Sequence, residues 1–181
     1  DKILFSGYHG WHDWYLSSNL KSNKNLNKFL LTGLDPAGVP KNLINSALPF
    51  DDTNIESLKT KIKNKEKQIA AIVIEPARGN NVNKVYLNKL KKIAKKIGAV
   101  LIFDEITSGF RINPGGIHLI DKIYPDICVF AKSMSNGYAM SAIIGKKNIM
   151  NAANKTFISS TNWTERIGPT AAIATIKKCI K

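Results

Sequence analysis

The sequence has few cysteines, few acidic residues and few arginines, and each scarcity argues against a class of protein. Cys128 and Cys179 are the only cysteines, too few for a disulfide framework and without the spacing of a cysteine-based metal site. No apolar run approaches the roughly 20 residues that cross a membrane, and the first residues lack the pattern of a signal peptide. We therefore expect a cytoplasmic protein that has no membrane contact and no metal.

The excess of basic over acidic residues is an excess of lysine. The chain has 27 Lys and Arg against 13 Asp and Glu, a formal net charge of +14. Lysines cluster in residues 59–67 and 84–96, where Tyr86 is the only aromatic residue and no arginine occurs. Nucleic-acid grooves combine arginine with stacking aromatic side chains. We interpret the two segments as solvated helix surfaces and expect no nucleic-acid partner.

What the chain does contain is an alternation of apolar strands and amphipathic helices. Five apolar runs predict strands, at residues 2–6, 69–74, 99–103, 127–131 and 140–144. Helical spacing and capping residues predict helices at residues 54–67, 83–97 and 164–180. Residues 16–50 are polar and interrupted by Gly and Pro, which predicts irregular loops with short strands. The alternation indicates one α/β domain with a mostly parallel sheet sandwiched by helices.

Two of the predicted strands end on charged residues. Asp104 ends the run Leu-Ile-Phe-Asp, and Lys132 follows the run Ile-Cys-Val-Phe-Ala. Because open α/β sheets bind ligands at the carboxyl edge of their strands, we expect this carboxylate and this amine at one ligand-binding edge. Taken singly, Asp104 could cap a helix and Lys132 could be a surface residue. As a pair they are the minimum equipment for pyridoxal phosphate chemistry.

Five segments in fixed order carry a more specific resemblance. They are Gly-Tyr-His-Gly (7–10), Ile-Glu-Pro-Ala-Arg-Gly-Asn (74–80), Phe-Asp-Glu-Ile-Thr-Ser-Gly-Phe-Arg (103–111), Pro-Asp-Ile-Cys-Val-Phe-Ala-Lys (125–132) and Ser-Ser-Thr (159–161). Together they resemble the class III pyridoxal-phosphate aminotransferases, most closely the glutamate-1-semialdehyde aminomutase-like branch. The resemblance implies the type I fold of PLP-dependent transferases. We expect residues 1–181 to be the central part of the large PLP-binding domain, without the N-terminal segment or the C-terminal small domain.

The resemblance also implies roles for the strand-end pair and its neighbours. Lys132 would form the Schiff base with pyridoxal 5'-phosphate and move a proton, and Asp104 would face the pyridine nitrogen. Tyr8 would stack on one face of the cofactor ring and Ile106 would cover the other. Glu105 points to the opposite side of the strand from Asp104, so we expect it to make a structural salt bridge or hydrogen bond.

Further residues complete the expected cofactor site. Asn80 resembles the residue that hydrogen-bonds the ring oxygen of the cofactor, and Glu75 would orient Asn80 or the substrate. His9 would shape the loop that carries the stacking tyrosine. Arg78 would bind a substrate carboxylate or pair with an acidic neighbour. Thr161 resembles the threonine that reaches the cofactor phosphate of a neighbouring subunit, which implies a homodimer with shared active sites.

The resemblance predicts an aminotransferase that moves an amino group between a small-molecule amino donor and a carbonyl acceptor. The alternative is a glutamate-1-semialdehyde 2,1-aminomutase, because intramolecular transfer uses the same site residues. Departures from the family pattern, such as Trp163 after Thr161, weaken the specific claim of aminomutation. A third hypothesis, from a different class, is a truncated subunit that only dimerises or binds nucleic acid.

Overall fold

The computed structural model describes residues 1–181 except 79, 82, 83, 160 and 181, and describes no side chain for residues 78, 80, 81 and 121. The chain divides into two compact units. Unit 1 comprises Asp1–Glu75 and Val82–Leu101, and unit 2 comprises Pro76–Asn81 and Ile102–Lys181. No helix in the described residues is both long enough and apolar enough to cross a membrane.

Unit 1 is built around three parallel strands. They are β1 (Lys2–Ser6), β2 (Ala47–Pro49) and β3 (Ile69–Ile74), and β1 lies in the middle. The helices are α1 (Asp13–Leu16), α2 (Ile55–Ile62) and α3 (Lys84–Ile97). Leu4, Phe5 and Ile72 are completely buried, and α3 contacts both β3 and α2. The strands are apolar because the helical layer removes them from water.

The predicted helix at residues 54–67 is shorter than expected, and local residues explain both of its ends. The Asn54 side chain accepts a hydrogen bond from the backbone N–H of Glu56 at 2.9 Å, as an N-cap does. Lys63 leaves the helical conformation and Asn64 adopts a left-handed φ of 61°, which asparagine tolerates better than most residues. A 3-10 turn at Glu66–Gln68 then leads into β3.

Unit 2 contains a short antiparallel pair, β4 (Ala77–Arg78) and β5 (Asn80–Asn81). Its longer strands are β6 (Val100–Asp104), β7 (Ile127–Phe130) and β8 (Ala142–Gly145). From Ile102 onward β6 belongs to this unit. Strand β7 pairs parallel with β6 and antiparallel with β8. The helices are α4 (Ile117–Asp121), α5 (Lys147–Met150) and α6 (Ile167–Cys179).

The core of unit 2 is aromatic, and its last helix starts later than the sequence predicted. Phe103 and Phe130 are buried, and a Cβ added at Gly109 would meet the Phe130 ring at 2.6 Å, so the loop after β6 packs directly on that ring. Helix α6 begins at Ile167 because the Glu165 carboxylate accepts hydrogen bonds from the N–H groups of Ile167 and Gly168. Residues 164–166, which were expected to form its first turn, therefore lie before the helix.

Candidate functional site

Asp104 and Lys132 lie at the carboxyl ends of the adjacent parallel strands β6 and β7. Asp104 is the last residue of β6 and pairs in register with Val129, three residues before Lys132. Asp104 is only 8% exposed, whereas Lys132 is exposed. The Asp104 Oδ1 accepts a hydrogen bond from the backbone N–H of Ile106 at 3.1 Å. The predicted strand-end placement of both residues is therefore confirmed.

A hydroxyl group connects Lys132 to the segment that follows Asp104. The Lys132 Nζ donates a hydrogen bond to Thr107 Oγ1 at 3.0 Å. Lys132 itself adopts a left-handed φ of 49° in the short turn Lys132–Met134, a conformation that costs a non-glycine residue about 1–2 kcal/mol. Backbone conformations of this kind persist where the surrounding structure imposes them, and they concentrate at functional sites.

Glu105, the neighbour of Asp104, is completely buried within a network of donors. Its Oε2 accepts hydrogen bonds from Ser108 Oγ and the Ile117 N–H, both at 2.9 Å. Its Oε1 accepts from the His118 N–H at 3.1 Å and faces His118 Nδ1 at 2.9 Å. The carboxylate thus fastens the start of α4 to the end of β6. The prediction that Glu105 has a structural hydrogen-bonding or ion-pairing role is confirmed.

The electrostatics of this network follow from burial and hydrogen bonding. Burial raises the pKa of Glu105, but the hydrogen bonds from His118, Ile117 and Ser108 outweigh it and leave the pKa below its ordinary value. Because the carboxylate is ionised, we assign the proton between the two side chains to His118 Nδ1. Burial, with the charge of Glu105 as a smaller cause, raises the pKa of the nearby Cys128 thiol to about 12.

Cys128 completes a group of three potential metal ligands in unit 2. Its Sγ lies 3.5 Å from His118 Nδ1, and one ligand atom from each of Glu105, His118 and Cys128 lies within 4.8 Å of the others. No metal-ligand group was expected at either cysteine, and the structure places Cys128 beside two other potential ligand side chains. Sequence spacing did not show the group because strand pairing assembles it: Cys128 is in register with Phe103, which points to the same side as Glu105.

In unit 1 the loop after β1 is organised by Glu75. Glu75 is only 6% exposed. Its carboxylate accepts a hydrogen bond from the Tyr8 N–H at 3.0 Å. A Cβ at Gly7 would lie 2.6 Å from Glu75 Oε2, and Gly7 has a φ of 110°, so only glycine suits this approach. His9 Nε2 lies 3.1 Å from the Ser6 carbonyl, which must accept, so we assign the proton to Nε2. His9 therefore shapes the loop as predicted.

The aromatic residues of this loop pack on one another. The Tyr8 and Trp11 ring centroids are 4.5 Å apart, and those of His12 and Trp14 are 4.9 Å apart. Tyr15 is completely buried, and its ring lies 5.2 Å from that of Phe5. Mutual packing therefore accounts for much of this aromatic content, although Trp11 keeps about half of its surface exposed, at 48%.

The remaining predicted residues are placed only in part. Ile106 is half-buried and Thr161 is exposed in a turn at residues 161–164. The side chains of Asn80 and Arg78, and all of Gly79 between them, lie outside the described residues. Thr107 was not predicted to be the partner of Lys132, although its place three residues after Asp104 in the same motif was a usable signal. His118, which has no motif of its own, was not predicted either.

Comparison with known proteins identifies one family. The model of the family "Aminotransferase class-III" matches residues 3–180. The chain is 40% identical over 184 residues to a glutamate-1-semialdehyde 2,1-aminomutase of Nitrosopumilus maritimus, and the match covers 97% of this chain and 42% of the relative. It is 34% identical over 183 residues to a 3-aminobutyryl-CoA aminotransferase of Cloacimonas acidaminovorans, covering 97% and 40%. The chain therefore spans about two fifths of the length of these relatives.

Solved structures agree on the fold. An omega-transaminase from Sphaerobacter thermophilus superimposes with a TM-score of 0.80 at 22% identity, covering 98% of this chain and 43% of the other. The FumI protein of Sphingopyxis sp. MTA144, solved in its PLP internal aldimine form, gives a TM-score of 0.82 at 22% identity, covering 99% and 41%. The predicted α/β fold of PLP-dependent transferases is confirmed.

Proposed function

Because the chain belongs to the class III aminotransferase family, we propose that it is the central part of the large domain of a pyridoxal-phosphate-dependent aminotransferase. The enzyme moves an amino group between a small-molecule amino donor and a carbonyl acceptor. One structural observation supports the proposal in addition to the family match. A buried carboxylate and an amine follow adjacent parallel strands, and Thr107 links the second group to the segment after the first.

The residues present fit this cofactor chemically. Lys132 offers a primary amine for the aldehyde group of pyridoxal phosphate, and Asp104 offers a carboxylate for its ring nitrogen. When bound, the cofactor supplies the electron sink that stabilises a carbanion at the substrate Cα. Asp104 holds the proton on the ring nitrogen, which is an electrostatic contribution to that sink. Lys132 Nζ would hold the cofactor and, once released from it by the amino donor, would move the proton from the substrate Cα.

The same proposal includes further residues, whose contacts with the cofactor or with a partner subunit stay predictions. Tyr8 and Ile106 cover the two faces of the cofactor ring, and Asn80 contacts its ring oxygen. Glu75 supports the site from the backbone of Tyr8, to which it is hydrogen bonded, and His9 holds the same loop at Ser6. Thr161 reaches the cofactor phosphate of a partner subunit, so that the working enzyme is a homodimer. A cytoplasmic location fits the two free cysteines.

The test is covalent trapping on the complete protein. After incubation with pyridoxal 5'-phosphate, borohydride reduction and peptide mass mapping, the cofactor mass should be found on Lys132. Lys132→Arg should abolish both the label and the transamination, because arginine keeps the charge but cannot replace the amine. Lys146→Arg is the matched control, since Lys146 also follows a strand of unit 2 and pairs with Asp126 there. A label on another lysine, or none, would refute the assignment.

The second candidate function is that of a glutamate-1-semialdehyde 2,1-aminomutase, favoured by the 40% identity to such an enzyme. The two activities differ in whether a second substrate is needed. Incubation of the enzyme with glutamate-1-semialdehyde alone should give 5-aminolevulinate if it is the aminomutase. An aminotransferase gives sustained turnover only when both a donor and an acceptor are present.

A further inference from the structure

We propose that Glu105, His118 and Cys128 form a zinc-binding site in unit 2. The three side chains come from three places, the end of β6, the first turn of α4 and the middle of β7. Glu105 is completely buried, Cys128 is 6% exposed, and the His118 side chain is 12% exposed. The site does not depend on the proposed aminotransferase function, because Glu105 and Asp104 are successive residues of an extended segment and point to opposite sides.

The types of ligand are those that zinc takes in proteins. Thiolate, imidazole and carboxylate are the three side-chain ligands that zinc takes in proteins, and magnesium or calcium would need a set made of oxygen atoms. Three protein ligands with a water molecule in the fourth position make a known form of tetrahedral zinc site. The ligand types therefore favour a transition metal such as zinc over magnesium or calcium.

The distances are close to those of a loaded site. Zinc bonds of about 2.0 Å to nitrogen and oxygen and about 2.3 Å to sulfur put tetrahedral ligand atoms about 3.3 Å (N to O) and about 3.6 Å (N to S) apart. His118 Nδ1 already lies 3.5 Å from Cys128 Sγ. Its separation of 2.9 Å from Glu105 Oε1 is that of a hydrogen bond and has to widen by about 0.4 Å. One carboxylate oxygen of Glu105 and Cys128 Sγ are at most 4.8 Å apart, so they must approach each other by about 1.2 Å at most.

Zinc would take the place of one proton without breaking the rest of the network. The ion occupies the position of the hydrogen between Nδ1 and Oε1, so that this proton moves to Nε2 and the imidazole stays neutral. The Cys128 thiol releases its proton to solvent. The buried group changes from a net charge of minus one to zero, because two positive charges enter and one proton leaves. Oε1 keeps its bond from the His118 N–H, and Oε2 keeps both of its hydrogen bonds.

Cys128 is the residue that separates a zinc site from a simple anchor. Glu105 already fastens α4 through backbone N–H groups, Ser108 and His118, and a thiol adds little to such a network because it is a weak donor and acceptor. A purely structural anchor would therefore be indifferent to Cys128→Ser. A zinc site would lose its only sulfur ligand, and the affinity should fall by about a hundredfold or more, since even partners outside the ligand set cost 10- to 100-fold.

The experiment titrates zinc into the chelator-treated complete protein and measures bound metal after gel filtration. The wild type should retain one zinc ion per chain, and Cys128→Ser and His118→Gln should lose it. Cys179→Ser is the matched control, because Cys179 is an exposed thiol at the end of α6, and it should bind as the wild type does. Zinc should raise the Tm of the wild type and of the control only.

Two further measurements on the wild type keep the test valid if a variant does not fold. X-ray absorption at the zinc edge should show one sulfur neighbour at about 2.3 Å with nitrogen or oxygen neighbours near 2.0 Å. Cobalt in place of zinc should give a thiolate charge-transfer band. Failure of the wild type to bind zinc, retention of zinc by folded Cys128→Ser, or a metal shell without sulfur would each overturn the proposal. None of these outcomes bears on cofactor trapping at Lys132.

Discussion

Replacing Glu105 by glutamine tests the buried network most directly. The carboxylate accepts two hydrogen bonds on each oxygen, and the donors on one side are Ser108 Oγ and the Ile117 N–H. A glutamine amide can place its NH2 group on that side, where Ser108 can turn and accept but the Ile117 N–H cannot. One buried N–H then lacks an acceptor, which costs about 1–3 kcal/mol, and the remaining bonds lose the strength that a charged acceptor gives them. We expect a total loss of about 3–4 kcal/mol.

The assay is denaturant unfolding with a chelator present, so that bound metal does not contribute. Since the pKa of Glu105 is lowered in the folded state, its stabilising effect is complete above its ordinary pKa of 4.5. It decreases as the pH falls through the lower folded-state pKa. The difference between wild type and Glu105→Gln should therefore be full at neutral pH and shrink below pH 4.5.

Glu56→Gln is the control for this measurement, because Glu56 pairs with Lys59 at the surface and should change stability by less than about 0.5 kcal/mol. Two results would refute the reasoning. One is a loss of under about 1 kcal/mol for Glu105→Gln at neutral pH, which is the size of a single ordinary hydrogen bond. The other is a difference that stays constant or grows on acidification.

Substitutions at three further positions are informative. Gly116→Ala should destabilise the protein by about 3 kcal/mol or more, because a Cβ there meets Glu105 Oε1 at 2.7 Å at a φ of 115°. Gly137→Ala, where φ is 101° and an added Cβ meets open space, should cost only about 1 kcal/mol for the backbone conformation alone. If urea unfolding showed the same loss of stability for both glycine variants, it would contradict this. Thr107→Val should lower kcat about fivefold, as expected for the loss of a hydrogen bond of about 1 kcal/mol. Thr107→Ser keeps the hydroxyl and should restore kcat. Equal kcat values for the two variants would count against the hydrogen bond to Lys132 Nζ. Asp104→Asn should lower kcat by about a hundredfold or more with the cofactor still bound, and an unchanged kcat would remove Asp104 from the mechanism.

The regular elements were predictable where one local signal decided them. The run Lys2–Ser6 and the run Ile69–Ile74 are strands with the predicted bounds, because a parallel strand covered on both faces is apolar throughout. The ends of helices were less predictable. The start of α6 depends on the carboxylate of Glu165, and the end of α2 on a left-handed Asn64. Such ends depend on single side-chain contacts, which periodicity does not report.

The candidate site was predictable where its charged residues lie at the ends of strands. Asp104 and Lys132 each end an apolar run, and parallel pairing brings those ends to one edge. The bond between Lys132 and Thr107 was not predictable, because it depends on how the loop after β6 folds back. The group around Cys128 was not predictable either, since register and the start of α4 assemble it from residues far apart in sequence.

Because side chains alternate along β6, two adjacent residues should affect different properties, one of them catalysis and the other stability. Asp104 and Glu105 point to opposite sides of an extended segment, and Glu105 contacts α4, whereas the Asp104 carboxylate binds the backbone of Ile106. An asparagine at 104 keeps an oxygen acceptor for that N–H, so Asp104→Asn should reduce catalysis while stability and zinc binding stay near wild type. Glu105→Gln should reduce stability first, and any loss of activity should follow the unfolded fraction. If both variants instead changed activity and stability in the same proportion, the two sides of the strand would not act independently.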